Sequence, residues 1–194
     1  MTKADSDGST YEHVFQHAVE RILDTIPRRL ILDGIDDDTR TAMAQFVPIF
    51  EENIGGIIGS FYRHVLQFPE TRHFLESVSV EYLKQRQIEH WRGLLSCKFD
   101  EAYIKSAVAV GLKHHKIGLP LYLYLSGCNR ILCDLTSLSI MHHAGAMASS
   151  QTVSSIIKVV ALDMDITISC YFVADRLRMP SDEGRGSRKM VTRP

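Results

Sequence analysis

Apolar residues recur at helical spacing along most of the chain, and this periodicity limits the fold more than any other feature. Segment 11–26 carries apolar residues three or four positions apart, and segment 151–178 does the same over a longer stretch. Alternation of apolar and polar residues at period two, which strands require, is nowhere sustained. The sequence therefore predicts one all-α domain.

Prolines and capping residues divide this domain into helices. Pro27 is predicted to end the first helix, Asp36 to begin the second, and Pro48 to mark a continuation or a kink. The predicted helices cover residues 11–26, 36–48, 49–66, 69–75, 80–95, 101–116, 120–142 and 151–178. Residues 1–9 are predicted to be a disordered start, 10–179 the domain, and 180–194 a flexible tail or the start of a linker.

Composition and charge exclude several classes of protein. With 45% hydrophobic residues, the chain is not intrinsically disordered. A formal charge of −1 offers no excess of cations to bind phosphates, so a general nucleic-acid binder is disfavoured. The most apolar stretch, 117–128, is too short to cross a bilayer, and the first ten residues are polar and acidic rather than a secretion signal. We expect a cytoplasmic protein whose four cysteines, none in C-x-x-C spacing, remain reduced thiols.

The pair His114-His115 closes a predicted helix just before Gly118. One interpretation is that these side chains only complement the negative end of the helix dipole. The other is that one of them faces inward as a metal or haem ligand. Neighbouring residues point about 100° apart on a helix, so only one of the two can do so.

A tyrosine in an apolar helix is the second unusual feature. Tyr62 follows Gly55, Gly56 and Gly59, which are costly inside a helix and predict close packing against another helix or a ligand. A buried phenol needs a partner, so the Tyr62 hydroxyl binds either a backbone carbonyl or a ligand in a buried pocket.

Other patterns of chemistry are absent. No second His or Cys accompanies the pair at zinc spacing, and His13/His17 is interpreted as a solvated face. Asp163 and Asp165 are two positions apart and point to different faces, so they make a poor carboxylate pair. The sequence carries no phosphate loop, nucleophile elbow or Cys–His signature, and no residue pattern predicts an enzyme.

Six sequence blocks, in matching order and spacing, resemble the sensor domain of globin-coupled sensors and the related protoglobins. The resemblance covers residues 35–178, almost the whole chain. The blocks are residues 59–66, 80–85, His90-Trp91, 99–103, 111–114 and 116–119.

The resemblance implies a globin fold with an extra N-terminal helix, at 11–26, and no D helix. It also implies haem b (iron protoporphyrin IX) as cofactor, His114 as the iron ligand and Tyr62 as the hydrogen-bond donor to bound O2. Four positions on one helix would line the pocket or its mouth, together with a tyrosine of the next-to-last helix: Leu83, Arg86, Gln87, His90 and Tyr124.

Some positions depart from the family or stay open. Leu123 stands where the family usually has Trp, so the pocket wall differs there. His115 remains an alternative ligand, Arg86 reaches either a haem propionate or solvent, and His90 is either structural or a second axial ligand.

The function implied is a haem-based sensor domain, not itself an enzyme, for O2, with CO and NO as further ligands. It would signal through a homodimer made by its last two helices. The alternatives are a stand-alone haem protein, either a carrier or an enzyme for NO or peroxide, and a helical interaction module without haem.

Overall fold

The computed structural model describes residues 3–142 and 145–177, with side chains from residue 9 onward. The described residues form seven α-helices and no strand, which confirms the all-α prediction. In chain order the helices are α1 (Lys3–Leu32), α2 (Asp37–Val65), α3 (Pro69–Arg72), α4 (Val80–Leu95), α5 (Glu101–Lys116), α6 (Leu121–His142) and α7 (Ala146–Arg176).

The first helix extends beyond its predicted bounds at both ends. Residues 3–9 are helical, where the sequence predicted a disordered start, and α1 continues through Pro27. The helix ends at Leu32, and Gly34, whose φ is +64°, completes its cap. Gly34 N donates to Ile31 O, and Ile35 N donates to Leu30 O. This pattern is a Schellman motif, which requires a residue that tolerates positive φ. The prediction that Pro27 ends the helix was wrong.

Helix α2 also continues through a proline. Pro48 removes one backbone hydrogen bond, a loss that costs about 3 kcal/mol in a helix interior. Met43, Phe46 and Phe50 on either side of it are fully buried, and this packing keeps both halves in one helix. The two predicted helices 36–48 and 49–66 are therefore a single element.

Capping residues predicted from local sequence do begin helices. Asp36 accepts from Thr39 N, and Asp100 accepts from Tyr103 N, each at 2.9 Å. Helix α7 begins at Ala146, five residues before the predicted start at residue 151.

The last helix organises the fold. Helix α7 packs against α5, α6, α2, α1 and α4, and its buried face supplies Ile156, Val160 and Ile166 to the core. Helix α1 lies across α5 and α7, as the predicted extra N-terminal helix. Within the described ranges, no helix is both long and apolar enough to cross a membrane.

The tightly packed glycines are not those that the sequence singled out. Apart from their own helix backbone, no atom of the described residues lies within 4 Å of a Cβ added at Gly55 or Gly56. Their predicted packing against another helix was therefore wrong, and the alternative of packing against a ligand stays a prediction. A Cβ on Gly111, in contrast, would lie 2.9 Å from Cys170 Cβ and 3.3 Å from Thr167 Cα. Helices α5 and α7 therefore approach each other closely at Gly111.

Candidate functional site

Helix α2 places Tyr62 on its buried face. Ile54, Ile58 and Tyr62 follow one another at four-residue spacing, and all three are buried. The Tyr62 ring meets the edge of the Phe61 ring at a centroid distance of 5.2 Å. Burial raises the pKa of the Tyr62 phenol to about 12. The group therefore stays protonated and remains a hydrogen-bond donor at neutral pH.

Helix α4 contributes Leu83 and Gln87, which lie one turn apart on the same face. Leu83 packs against the core at partial exposure. The Oε1 atom of Gln87 is buried and has no hydrogen-bond partner among the described residues. A buried acceptor without a partner costs about 1–3 kcal/mol of stability. The Gln87 oxygen is therefore available to accept a hydrogen bond from a group that the protein itself does not supply.

Helix α5 presents His114 two residues before its end at Lys116. The His114 Nδ1 atom is buried and has no hydrogen-bond partner in the described part of the chain. Burial, with added repulsion from His90, lowers the pKa of the His114 imidazole to about 4. The ring is therefore neutral at pH 7 and keeps a lone pair, which is the form that binds a metal.

Helix α6 places Tyr124 beside this histidine. The His114 and Tyr124 rings lie 5.4 Å apart between centroids at an interplanar angle of 48°. Thr167 and Cys128 are the polar neighbours of the Tyr124 hydroxyl, but neither makes a hydrogen bond of good geometry with it. Burial raises the pKa of this phenol far above its usual range, so it too stays neutral.

These residues fit haem, the cofactor that the resemblance implies. Three helices each contribute a buried polar atom without a partner, on Gln87, His114 and Tyr124. Within the described ranges, no group of three or more His, Cys, Asp or Glu residues could hold a bare metal ion. A single neutral imidazole suits an iron that brings its own equatorial nitrogens, as in a porphyrin.

The structure separates the two neighbouring histidines. His115 is buried, and its Nε2 lies 2.8 Å from Asp175 Oδ1 of α7. Its ring also meets the edge of the Tyr171 ring at 5.5 Å. His115 is therefore engaged by α7, whereas His114 faces Tyr124.

His90 occupies a different environment from the one that a second axial ligand needs. Its Nε2 lies 3.1 Å from Asp163 Oδ2, and Tyr103 donates its hydroxyl to Asp163 Oδ1 at 2.6 Å. Burial alone would lower the pKa of His90, but the charge of Asp163 holds it above its usual value. Burial alone would raise the pKa of Asp163, but His90 and Tyr103 hold it below its usual value.

Asp163 is the buried polar residue beside the site that sequence reasoning missed. It was considered only as a partner for Asp165, yet its carboxylate joins α4, α5 and α7 at one buried point. A signal was present, since Asp163 lies at helical spacing from the buried Val159, Val160 and Ile166.

Arg86 is not brought to the site. Its guanidinium is 58% exposed and donates to Glu89 of the same helix at 2.7 Å. Of the two roles that the sequence left open, this position agrees with the solvent-exposed one.

Comparison with protein families gives a match over most of the chain. The model of the Protoglobin family matches residues 13–176. A curated relative, the haem-based aerotactic transducer HemAT of Halobacterium salinarum, is 32% identical over 109 residues. That alignment covers 55% of this chain and 22% of the transducer, so the chain spans only about a fifth of that relative.

Solved structures show the same fold. The globin domain of the Geobacter sulfurreducens globin-coupled sensor superposes with a TM-score of 0.70 at 21% identity, covering 75% of this chain and 96% of that one. The ferric form of the globin domain of E. coli DosC gives a TM-score of 0.60 at 23% identity, covering 69% and 89%. The predicted globin fold is confirmed.

Proposed function

Because the chain belongs to the protoglobin family, we propose that it is a haem-based gas sensor domain that binds haem b through His114. One observation carries this function: a buried, neutral imidazole lies at the end of α5 with its Nδ1 unpartnered. Haem, when bound, would supply an iron able to take up a diatomic gas. We propose O2 as the main ligand, with CO and NO as further ligands.

The protein side chains determine how each gas is held. His114 donates a lone pair without first losing a proton, since the low pKa keeps its ring neutral. Tyr62 keeps its O–H proton and would donate a hydrogen bond to a bound gas that carries partial negative charge. Such a bond in a dry pocket contributes about 1–3 kcal/mol and favours O2 over CO. Leu83 and Gln87, whose Oε1 has no partner among the described residues, complete the proposed gas-binding side.

A homodimer is the second part of the proposal. On α6, the exposed residues at helical spacing are Tyr122, Ser126, Asn129, Cys133, Ser137 and Ile140, and none is charged. The outer face of α7 carries exposed Ile157, Ala161 and Phe172. The same α7 face carries the exposed Asp165, which pairs with Arg29 of α1. Adjacent faces that expose large apolar side chains and few charges are typical of a protein interface. A second copy of this chain would cover both faces in a bundle of four helices.

The remaining parts of the proposal concern the cell. The domain would act in the cytoplasm and would carry a signal rather than catalyse a reaction. HemAT is an aerotactic transducer several times longer than its matched region. A chain similar to one part of such a transducer is consistent with a sensor domain that passes a change on gas binding to another part of a signalling system.

Absorption spectra test the haem assignment, with two neighbouring histidines as a matched pair. We expect the purified protein to show a Soret band, a five-coordinate ferrous form, and uptake of O2 and CO. His114→Ala should abolish stable haem binding, whereas His115→Ala should keep it, and circular dichroism checks that both variants fold. An unchanged spectrum in His114→Ala contradicts the ligand assignment. A folded wild-type protein without a Soret band after haem addition leaves only a helical module.

A further inference from the structure

The last turn of α5 ends in a hydrogen-bonded turn that includes the backbone of His114. Gly118, with φ +71°, donates to His115 O at 2.9 Å, and Leu119 N donates to His114 O at 3.0 Å. This is a second Schellman motif, in which only a glycine easily supplies the positive φ. The carbonyl of His114 and the position of Leu119 are therefore tied together.

Helix α7 holds this turn from the other side. Tyr171 donates its hydroxyl to Leu119 O at 2.8 Å. Two residues thus connect His114 to α7 through consecutive hydrogen bonds, first Leu119 N to His114 O and then Tyr171 Oη to Leu119 O. Burial raises the pKa of the Tyr171 phenol, so this donor keeps its proton.

A second connection runs in parallel. Asp175, one turn beyond Tyr171, binds the Nε2 of His115 at 2.8 Å, and the His115 ring packs edge-on against the Tyr171 ring. We call His115, Leu119, Tyr171 and Asp175 the α5–α7 end contact. It lies in the last two turns of α7, which ends at Arg176.

We propose that Tyr171 and Asp175 are positioning residues through which α7 responds to a displacement of His114, an inference that rests on the proposed function. His114 lies in the last turn of α5, and this turn has both a carbonyl and a buried side chain bonded to α7. Helices α5 and α7 also approach each other closely at Gly111, where an added Cβ would lie 2.9 Å from Cys170 Cβ. A small shift of His114 when a gas binds therefore changes the end of α7.

Hydrogen exchange of the haem-loaded full chain tests this role. Exchange in residues 165–177 is compared between the ferrous protein and its CO complex, in wild type and in three variants. Tyr171→Phe removes only the hydroxyl, and the double variant Tyr171→Phe/Asp175→Ala removes both connections. Asp165→Ala is the matched control, because Asp165 is also an exposed α7 carboxylate in an ion pair, but with Arg29 of α1 at 2.5 Å.

We expect CO to change the exchange of residues 165–177 in wild type and in Asp165→Ala. In the double variant, the difference in exchange between the ferrous protein and its CO complex should be at least about fivefold smaller than in wild type. A factor of about five is the lower end of ordinary allosteric couplings. Tyr171→Phe alone should lower it in part, and all variants should keep the CO spectrum.

Four results would overturn the proposal. A wild-type CO complex without an exchange change at 165–177 overturns the positioning role and leaves haem binding intact. A double variant that responds like wild type does the same. Loss of the CO spectrum in Tyr171→Phe shows that the contact only holds the pocket together. A wild-type protein that takes up no haem overturns the proposed function, and the positioning role falls with it.

Discussion

At the residue scale, two identical neighbours have opposite surroundings. His114 and His115 differ by one position, yet one faces Tyr124 and the other binds Asp175. Helical geometry predicts that they point apart, and the resemblance assigns His114 to the iron. Local sequence could not tell which one α7 engages, since the deciding partner lies 60 positions away along the chain.

Tyr62→Phe tests the donor to bound gas. The variant keeps the ring that packs against Phe61 and loses only the O–H. We expect haem to stay bound and O2 release to become about 5- to 150-fold faster, which corresponds to the loss of about 1–3 kcal/mol. Stopped-flow release kinetics measure this, with CO release as the control that should change little. Equal changes for both gases would contradict a polar role for the hydroxyl.

Asp163→Asn tests the buried carboxylate. Removing one partner of a buried ion pair costs about 3–5 kcal/mol of stability, measured by urea denaturation near pH 5.5. The Asp163 contribution exists above its unfolded pKa of 3.8 and is lost as pH falls through its lowered folded pKa. The His90 contribution is complete below its unfolded pKa of 6.5 and is lost as pH rises through its raised folded pKa. Asp163→Asn should remove both pH dependences of the free energy of unfolding. A variant with the wild-type pH profile would show that the His90–Asp163 pair does not stabilise the fold.

At the scale of helices, capping residues marked helix starts, whereas prolines did not mark helix ends. Asp36 and Asp100 begin helices as capping chemistry requires. Pro48 did not interrupt α2, because buried side chains on both sides of it outweighed the lost hydrogen bond. Beyond Pro27, helix α1 continues to Leu32, and Leu30 in this stretch packs partly buried against the core. Gly34 was the available end signal for α1, since its positive φ completes the cap. Tertiary packing, which a local pattern does not contain, decided these cases.

Two alanine substitutions test the contact between α5 and α7. Gly111→Ala places a methyl group 2.9 Å from Cys170 Cβ and should cost roughly 1–3 kcal/mol of unfolding free energy. Gly55→Ala, also inside a helix but with no atom within 4 Å, should stabilise by about 0.5–1 kcal/mol. Thermal or urea unfolding measures both. Similar effects of the two substitutions would mean that the close approach at Gly111 is not energetically significant.

At the scale of the whole molecule, the candidate site is assembled from four helices. Tyr62, Gln87, His114 and Tyr124 come from α2, α4, α5 and α6 in turn. The family resemblance implied all four residues, of which Tyr62 and His114 lie within the matching sequence blocks. The buried Asp163 and the α5–α7 end contact could not be predicted, because they depend on side-chain pairs brought together only by the packing of α7.

Charge placed on α7 tests the proposed homodimer. Wild type should sediment at twice the chain mass of 21.9 kDa. Phe172→Glu replaces a ring that is 65% exposed on the proposed interface with a carboxylate, and it should shift the protein to monomer. Tyr82→Glu, at a 59% exposed aromatic of α4, is the control and should leave the dimer intact. Analytical ultracentrifugation decides, and a monomeric wild type would contradict the dimer.

The packing of the helices also bears on how much of this protein a cell can maintain. Helix α2, with Tyr62, packs on α6, α4 and α7, while α5, with His114, packs mainly on α7 and α1. Helices α2 and α5 are therefore connected chiefly through other helices. A porphyrin bound between them would add contacts that the polypeptide lacks. Binding to the native state alone raises the free energy of unfolding with cofactor concentration. Porphyrin-starved cells would expose more unfolded chain to their proteases, so the number of sensor molecules would follow the iron–porphyrin supply.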